Sequence, residues 1–322
     1  MQTSFTKMMG IEFPVIMAPM FLVSNTAMII AALENGITAA FPALNYRTDA
    51  ELRAAISEIK ARSKKPFGVN LIVNKSNYKY HSQLATCVEL NVDFIITSLG
   101  NPKEVIDKCK AKGIKVFCDV VDLKYAQKVE ALGADGVIAV NNKAGGHAGD
   151  MPAEELVPLL KKNLRICVIS AGGIASGTQL KQTLDLGADA VSIGTIFIAS
   201  TESPVSQEYK NALVEYGAKD IVRTTKLSGT PCTVINTPYV QTLGTKEGFL
   251  ERMLHKNKFL KKYAKLLLAI KGLKTLERSA LGATYKTVWC AGPAIEYIHS
   301  IRPVKEIISQ LTREYKEALN TP

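Results

Sequence analysis

No two of the six cysteines (87, 109, 118, 167, 232 and 290) stand in a C-x-x-C spacing, and most fall inside apolar runs. That pattern argues against a thiolate zinc centre or a disulfide scaffold, so six reduced, buried thiols and no metal are expected. No uninterrupted apolar segment reaches the ~20 residues of a membrane span. The opening residues, MQTSFTKMMGIEFPV, lack an apolar stretch followed by a cleavage site, so a cytoplasmic protein is expected. Trp and Phe are scarce, at one and ten, whereas small and branched aliphatic residues abound. Such side chains suit parallel strands covered on both faces by closely packed helices. Acidic residues are outnumbered, 29 against 40 Lys and Arg, for a net charge of +11. That balance bears on anionic partners rather than on fold.

What the chain does have is alternation. Eight β-branched runs stand out: VIMAPM (15–20), ITAAF (37–41), FGVNLIV (67–73), FIITS (94–98), KVFCDV (115–120), GVIAV (136–140), ICVISAG (166–172) and AVSIGT (190–195). Amphipathic stretches lie between them, for example 49–63, 101–113 and 176–187. The segments ELNVDFI (89–95), ALGADGV (131–137) and DLGADAV (185–191) each leave a helix at Gly or Asn and enter a strand through Asp. This repeat is how a loop from helix to buried strand reads. Eight such units within about 200 residues favour closure, so the fold class is α/β, a (β/α)8 TIM barrel. Residues 1–200 plus 281–322 are assigned to the barrel, ending in an amphipathic helix at 304–319. Residues 201–280 are read as a helical cap inserted after the eighth strand, without strands of its own.

A barrel of this kind builds its site on the loops that follow the strands. That rule gathers Ala18, Pro19 and Met20 after the first strand, Asn70 on the third and Ser98 on the fourth. The sixth strand leads into KAGGHAGD (143–150), where His147 follows Gly145 and Gly146. The seventh ends in Ala171, Gly172 and Gly173, and the eighth in Gly194 and Thr195. Glycine-rich turns entering helices after the last two strands are expected to hold a phosphate on backbone N–H groups. An imidazole among glycines can approach a flat ligand closely and titrates near neutrality, which marks His147 as the catalytic candidate. The other three histidines have no such setting. Whether Lys124 or Asp119, at the end of the fifth strand, touches the ligand is left open by the sequence.

With these elements placed, the chain resembles the nitronate monooxygenase family of FMN-dependent barrels, itself related to the FMN-containing enoyl-acyl-carrier-protein reductases. PVIMAPM (14–20), PFGVN (66–70), AGGHAG (144–149) and AGGIASG followed by GADAVSIGT (171–195) carry the likeness, which resumes at VWCAGPAIEYIHSI. The resemblance implies FMN with its phosphate on Gly172, Gly173, Gly194 and Thr195. It places the flavin ring over Ala18–Met20, with Asn70 in contact and His147 at the reactive face. It further implies oxidation of a small anionic or carbon-acid substrate, an alkyl nitronate, by O2. Two departures are visible: Val140 followed by Asn141, Asn142 and Lys143 where the family often carries Gln or Glu, and Pro293 where Ala-Gly-Gln is common.

Two other activities fit the same frame. One is an NAD(P)H-dependent enoyl-thioester reductase, for which positions 246–278, with ten Lys or Arg against three Glu, would attract an acidic acyl carrier protein. The other is a flavin- or phosphate-binding barrel without turnover, which the departures at Val140 and Pro293 permit. The same basic run also reads as a solvated helix face. No motif for nucleic acid or membrane binding accompanies it, so neither partner is expected, and any assembly is expected to be a homodimer.

Overall fold

A computed structural model describes residues 2–74, 77–225, 231–245 and 288–320. The basic run at 246–278 therefore lies outside the described residues, as does most of the second half of the expected cap.

Eight parallel strands close into a barrel: β1 (Val15–Met17), β2 (Thr38–Pro42), β3 (Phe67–Ile72), β4 (Phe94–Ser98), β5 (Lys115–Val120), β6 (Gly136–Val140), β8 (Cys167–Ala171) and β9 (Ala190–Ile193). A two-residue strand, β7 (Gly146–His147), intervenes in the chain but joins another sheet. The fourth, fifth and sixth runs read from the sequence coincide with β4, β5 and β6, and the others agree within a few residues. Ring closure comes from β9 pairing with β1, Val15 opposite Val191 and Met17 opposite Ile193.

Side chains alternate along each strand between the barrel interior and the helix layer. Inward positions at the lower end carry Ile16, Ala40, Phe94, Ile96, Phe117, Ile138, Ile169 and Ala190. Gly68 makes room for them, since a Cβ there would stand 2.2 Å from the Phe94 ring. The helix Ser4–Met9 closes the bottom by inserting Phe5 against Phe117, ring centres 5.6 Å apart. The Ser4 hydroxyl fastens it, donating to Asp189 at 2.5 Å. The terminal helix Val304–Leu319 runs as the sequence predicts and packs on the helix Gly177–Asp185. Their contact is close at Gly177, where a Cβ would lie 2.1 Å from the Tyr315 nitrogen.

The expectation of a strand-free cap is corrected. After the helix Gln207–Glu215 come β10 (Ile221–Thr224) and β11 (Cys232–Ile235), an antiparallel pair. The free edge of β11 pairs with β7, Cys232 opposite His147 and Thr233 opposite Gly146. Each strand has only four residues, too few to show a period, and the second partner of β11 is β7, far back in the chain.

All six cysteines are free thiols. Among the described residues no helix is long and apolar enough to cross a membrane, and no cluster of His, Cys, Asp or Glu could hold a metal ion.

Candidate functional site

The inward side chains change character at the upper, C-terminal ends of the strands. In place of Phe and Ile stand Ser98, Asp119, Val140 and Ala171, each two residues above an apolar inward side chain, and Asn70, level with Ile96. Three of these five, Asn70, Ser98 and Asp119, are polar, and the group forms the floor of the candidate site. Exposed Leu99 and Val121 edge it, and Leu22 and Leu99 hold left-handed torsions at the mouth, with φ of 59° and 58°. Strained non-glycine backbone of this kind persists only where surrounding structure enforces it.

The loop after β1 is fixed by its own polar groups. The Ala18 amide donates to the Ile193 carbonyl at 2.8 Å, and the Met20 amide donates to the Ser24 hydroxyl at 3.0 Å. Asn45 accepts from the Leu22 amide at 2.8 Å and donates to the Ser24 carbonyl at 2.8 Å. Ala18 and Met20 consequently stand over Gly194, where a Cβ would meet them at 3.6 and 3.4 Å. Pro19 lies between them in the same loop.

The two glycine loops are level with each other, because Ala171 on β8 pairs with Ser192 on β9. Gly172 and Gly173 have φ of 122° and 80°, which effectively require glycine. Among the described residues, the amides of Gly172, Gly173, Ile174 and Gly194 donate to no protein acceptor. Thr195 and Ile196 open the short helix Thr195–Ile198, so their amides have no helical partner either. Six donors at neighbouring strand ends are what an anionic ester oxygen needs.

One detail of the expected phosphate grip is corrected. The helix after β8 begins only at Gly177, and its N-terminus is already occupied. The Gly177 amide donates to the Glu314 carboxylate at 2.8 Å, the Gln179 amide to Ser176, and the Ala175 and Ser176 amides to the Gln179 side chain. The free donors belong to the loop and to the short helix after β9. Thr195 does not end a strand but starts that helix, and its hydroxyl accepts from the Gly292 amide at 3.1 Å.

The loop carrying His147 rests on both glycine turns. Fully buried Asn141 anchors it: its amide group donates to the Gly172 carbonyl at 3.0 Å, and its side-chain oxygen accepts from the Lys143 amide at 2.8 Å. Gly145 lies so near the next turn that a Cβ would be 2.9 Å from the Gly292 nitrogen and 3.1 Å from the Thr195 hydroxyl. From the other side, Thr233 on β11 donates to the Ala144 carbonyl at 2.5 Å. Arg223 on β10 pairs with Asp150 at 2.7 Å. The outer edge of His147 is open to solvent, yet protein packed around the rest of it pushes the imidazole below its ordinary 6.5. The ring is therefore mostly neutral at pH 7 and able to accept a proton.

Asn70 and Ser98 are joined on the floor. The Asn70 side-chain amide donates to the Ser98 hydroxyl at 2.7 Å and to the Ile96 carbonyl at 3.2 Å. Ser98 in turn donates to Asp119 at 2.5 Å. Burial pushes the Asp119 carboxyl up to about 6, against the opposing effect of the Ser98 hydrogen bond.

The fold thus brings Ala18, Met20, Gly145, Gly172, Gly173, Gly194 and Thr195 into one contiguous group, with Asn70 and Ser98 on the floor beside it. Sequence reasoning missed Thr233, named Asn141 only within a departure from the family pattern, and left the part of Asp119 open. Asn141 signalled itself only as a polar residue directly after an apolar strand. Asp119 is at an inward register position, two residues above Phe117. Thr233 gave no local sign.

A family profile described as nitronate monooxygenase matches residues 2–314. A nitronate monooxygenase of Paraburkholderia phytofirmans is 27% identical over 97% of this chain and 94% of its own. A (3aS,4S,5R,7aS)-5-hydroxy-7a-methyl-1-oxo-octahydro-1H-indene-4-carboxyl-CoA dehydrogenase of Rhodococcus jostii is 30% identical over 80% of this chain and 73% of that protein. The structure of FabK from Thermotoga maritima superposes with a TM-score of 0.86 at 32% identity, covering 99% of this chain and 97% of that one. The chain belongs to the nitronate monooxygenase family of oxidoreductases.

Proposed function

We propose that this protein binds FMN at the barrel mouth and oxidises an alkyl nitronate, or a closely related carbon acid, with O2 to a carbonyl compound and nitrite. The observation that carries the reading is the set of unpaired amides at Gly172, Gly173, Ile174, Gly194, Thr195 and Ile196, directly beneath the loop of His147. In this reading those amides hold the phosphate, Ala18–Met20 line the ring, and Asn70 meets its polar edge. The flavin supplies the redox chemistry and the reaction with oxygen. The protein orients the substrate and manages its charge. His147, neutral near pH 7, accepts a proton from the carbon acid or hydrogen-bonds the anion it leaves. The net charge of +11 favours approach of an anion.

A second reading, an NAD(P)H-dependent reductase of enoyl thioesters, draws on the likeness to FabK and to the carboxyl-CoA dehydrogenase. One experiment separates the two. Purified protein is expected to be yellow and to release FMN on denaturation. Mixed anaerobically with a nitronate, the flavin band should bleach, and with NADH or NADPH it should not. Rapid bleaching by a pyridine nucleotide and none by the nitronate would transfer the assignment to the reductase.

A further inference from the structure

We propose that Asp119 is a positioning residue that, through Ser98, holds Asn70 with its side-chain carbonyl facing the barrel mouth and so makes this point of the floor a hydrogen-bond acceptor for the bound ligand. The argument follows the direction of the hydrogen bonds. A carboxylate can only accept, so the Ser98 hydroxyl must spend its one proton on Asp119, at 2.5 Å. Ser98 can then only accept from Asn70, which fixes the NH2 end of that amide toward it, at 2.7 Å. The second N–H goes to the Ile96 carbonyl at 3.2 Å, so both Asn70 donors are used. What remains is the carbonyl oxygen, which has no partner among the described residues although Asn70 is only 7% exposed.

The relay depends on the charge of Asp119. No Lys, Arg or His among the described residues pairs with the carboxyl. On β4 it faces Ser98, and on β6 the inward side chains are apolar Ile138 and Val140. Cys118 on its own strand and Tyr125 on the following helix feel its charge, but both have their ionisation pushed upward and stay neutral near pH 7. Burial without a cation raises the carboxyl to about 6. Below that pH the protonated acid can donate to Ser98, which frees the Ser98 proton for Asn70 and removes the reason for one amide orientation. Asn70 and Ser98 lie on the floor beneath the ring in the reading above, so the acceptor would serve a flavin N–H. That last step rests on the FMN proposal; the relay does not.

The test uses full-length protein with the variants Asp119→Asn, Asp119→Leu and Ser98→Ala, each checked for native circular dichroism. In protein without added FMN, the Asn70 side-chain amide resonances, assigned by their loss in Asn70→Asp, should shift with pH around 6. The shift should vanish in Asp119→Asn and Asp119→Leu. FMN affinity and the visible band of the bound flavin are the second readout. Asp119→Leu and Ser98→Ala should weaken FMN about tenfold, the effect of one lost buried hydrogen bond, whereas Asp119→Asn, still an acceptor, should restore most of it. Asn70 resonances that ignore pH in the parent protein, or that titrate unchanged in Asp119→Leu, overturn the relay. Titrating Asn70 resonances in a protein that takes up no FMN support the relay and refute the flavin reading instead.

Discussion

Replacing Gly172 with alanine probes the junction on which the candidate site depends. A Cβ at that position would lie 2.3 Å from the Asn141 side-chain oxygen and 2.6 Å from the Ala144 nitrogen. Asn141 cannot swing aside freely, because it is fully buried and bonded at both ends, to the Gly172 carbonyl and the Lys143 amide. The torsion of 122° adds a strain of about 1–3 kcal/mol for any residue with a side chain. Losing the two Asn141 bonds adds about 1 kcal/mol each, so the total is about 3–5 kcal/mol. Gly146 is the matched control: its φ is 74°, but nothing lies within 4 Å of a built Cβ. Gly146→Ala should cost only the torsional term, about 1–2 kcal/mol. Urea denaturation of both variants without cofactor, followed by FMN titration, measures the difference. Gly172→Ala should also bind FMN at least about tenfold more weakly, because relieving the clash moves the free amides. If Gly172→Ala were no less stable than Gly146→Ala and took up FMN normally, the packing of the His147 loop on this turn would be refuted.

Three other outcomes are expected. His147→Ala should retain FMN and lose about 10²–10⁴-fold in turnover; with the imidazole pushed below 6.5, the acid limb of the parent pH–rate profile should fall below pH 6.5, and a limb above pH 7 would exclude it as the base. Gly177→Ala should cost about 2–4 kcal/mol and open the terminal helix to proteolysis, since the Cβ meets backbone at Tyr315 and Leu311 that no rotamer can clear; a stable, resistant variant would contradict this docking. Asp119→Asn should stabilise the fold at neutral pH. The native carboxyl at about 6 exceeds the unfolded value, so the folded state binds the extra proton between these values and the charged form opposes folding above them. A gain on the order of 1–2 kcal/mol at pH 7, reduced from the full shift because the carboxyl keeps some water, should fade as pH falls toward 4. Equal gains at both pH values would show that Asp119 is not the titrating group.

How much of this was legible in the sequence depended on the range of the interaction involved. The barrel strands were, because a strand buried on both faces writes its own apolar run between helix caps such as Ser176 and Thr48, and each signal lies within a few residues. The glycine turns were legible for the same reason, since φ of 122° and 80° at Gly172 and Gly173 is a local demand. The alternation of β5 also implied that Asp119 shares a face with Phe117, but not that it would meet Ser98 across the neighbouring strand.

By itself, then, the sequence determined the strand and helix periods, the order of the units and the turns that only glycine can make. The tertiary structure decided which backbone donors stay free. The helix at Gly177 lost its phosphate-binding capacity to Glu314, 137 positions away, and the His147 loop gained a second wall from Thr233 in a segment that reads as helical. Contacts between residues so far apart leave no period in the chain, since each depends on register and closure that exist only once the barrel has formed.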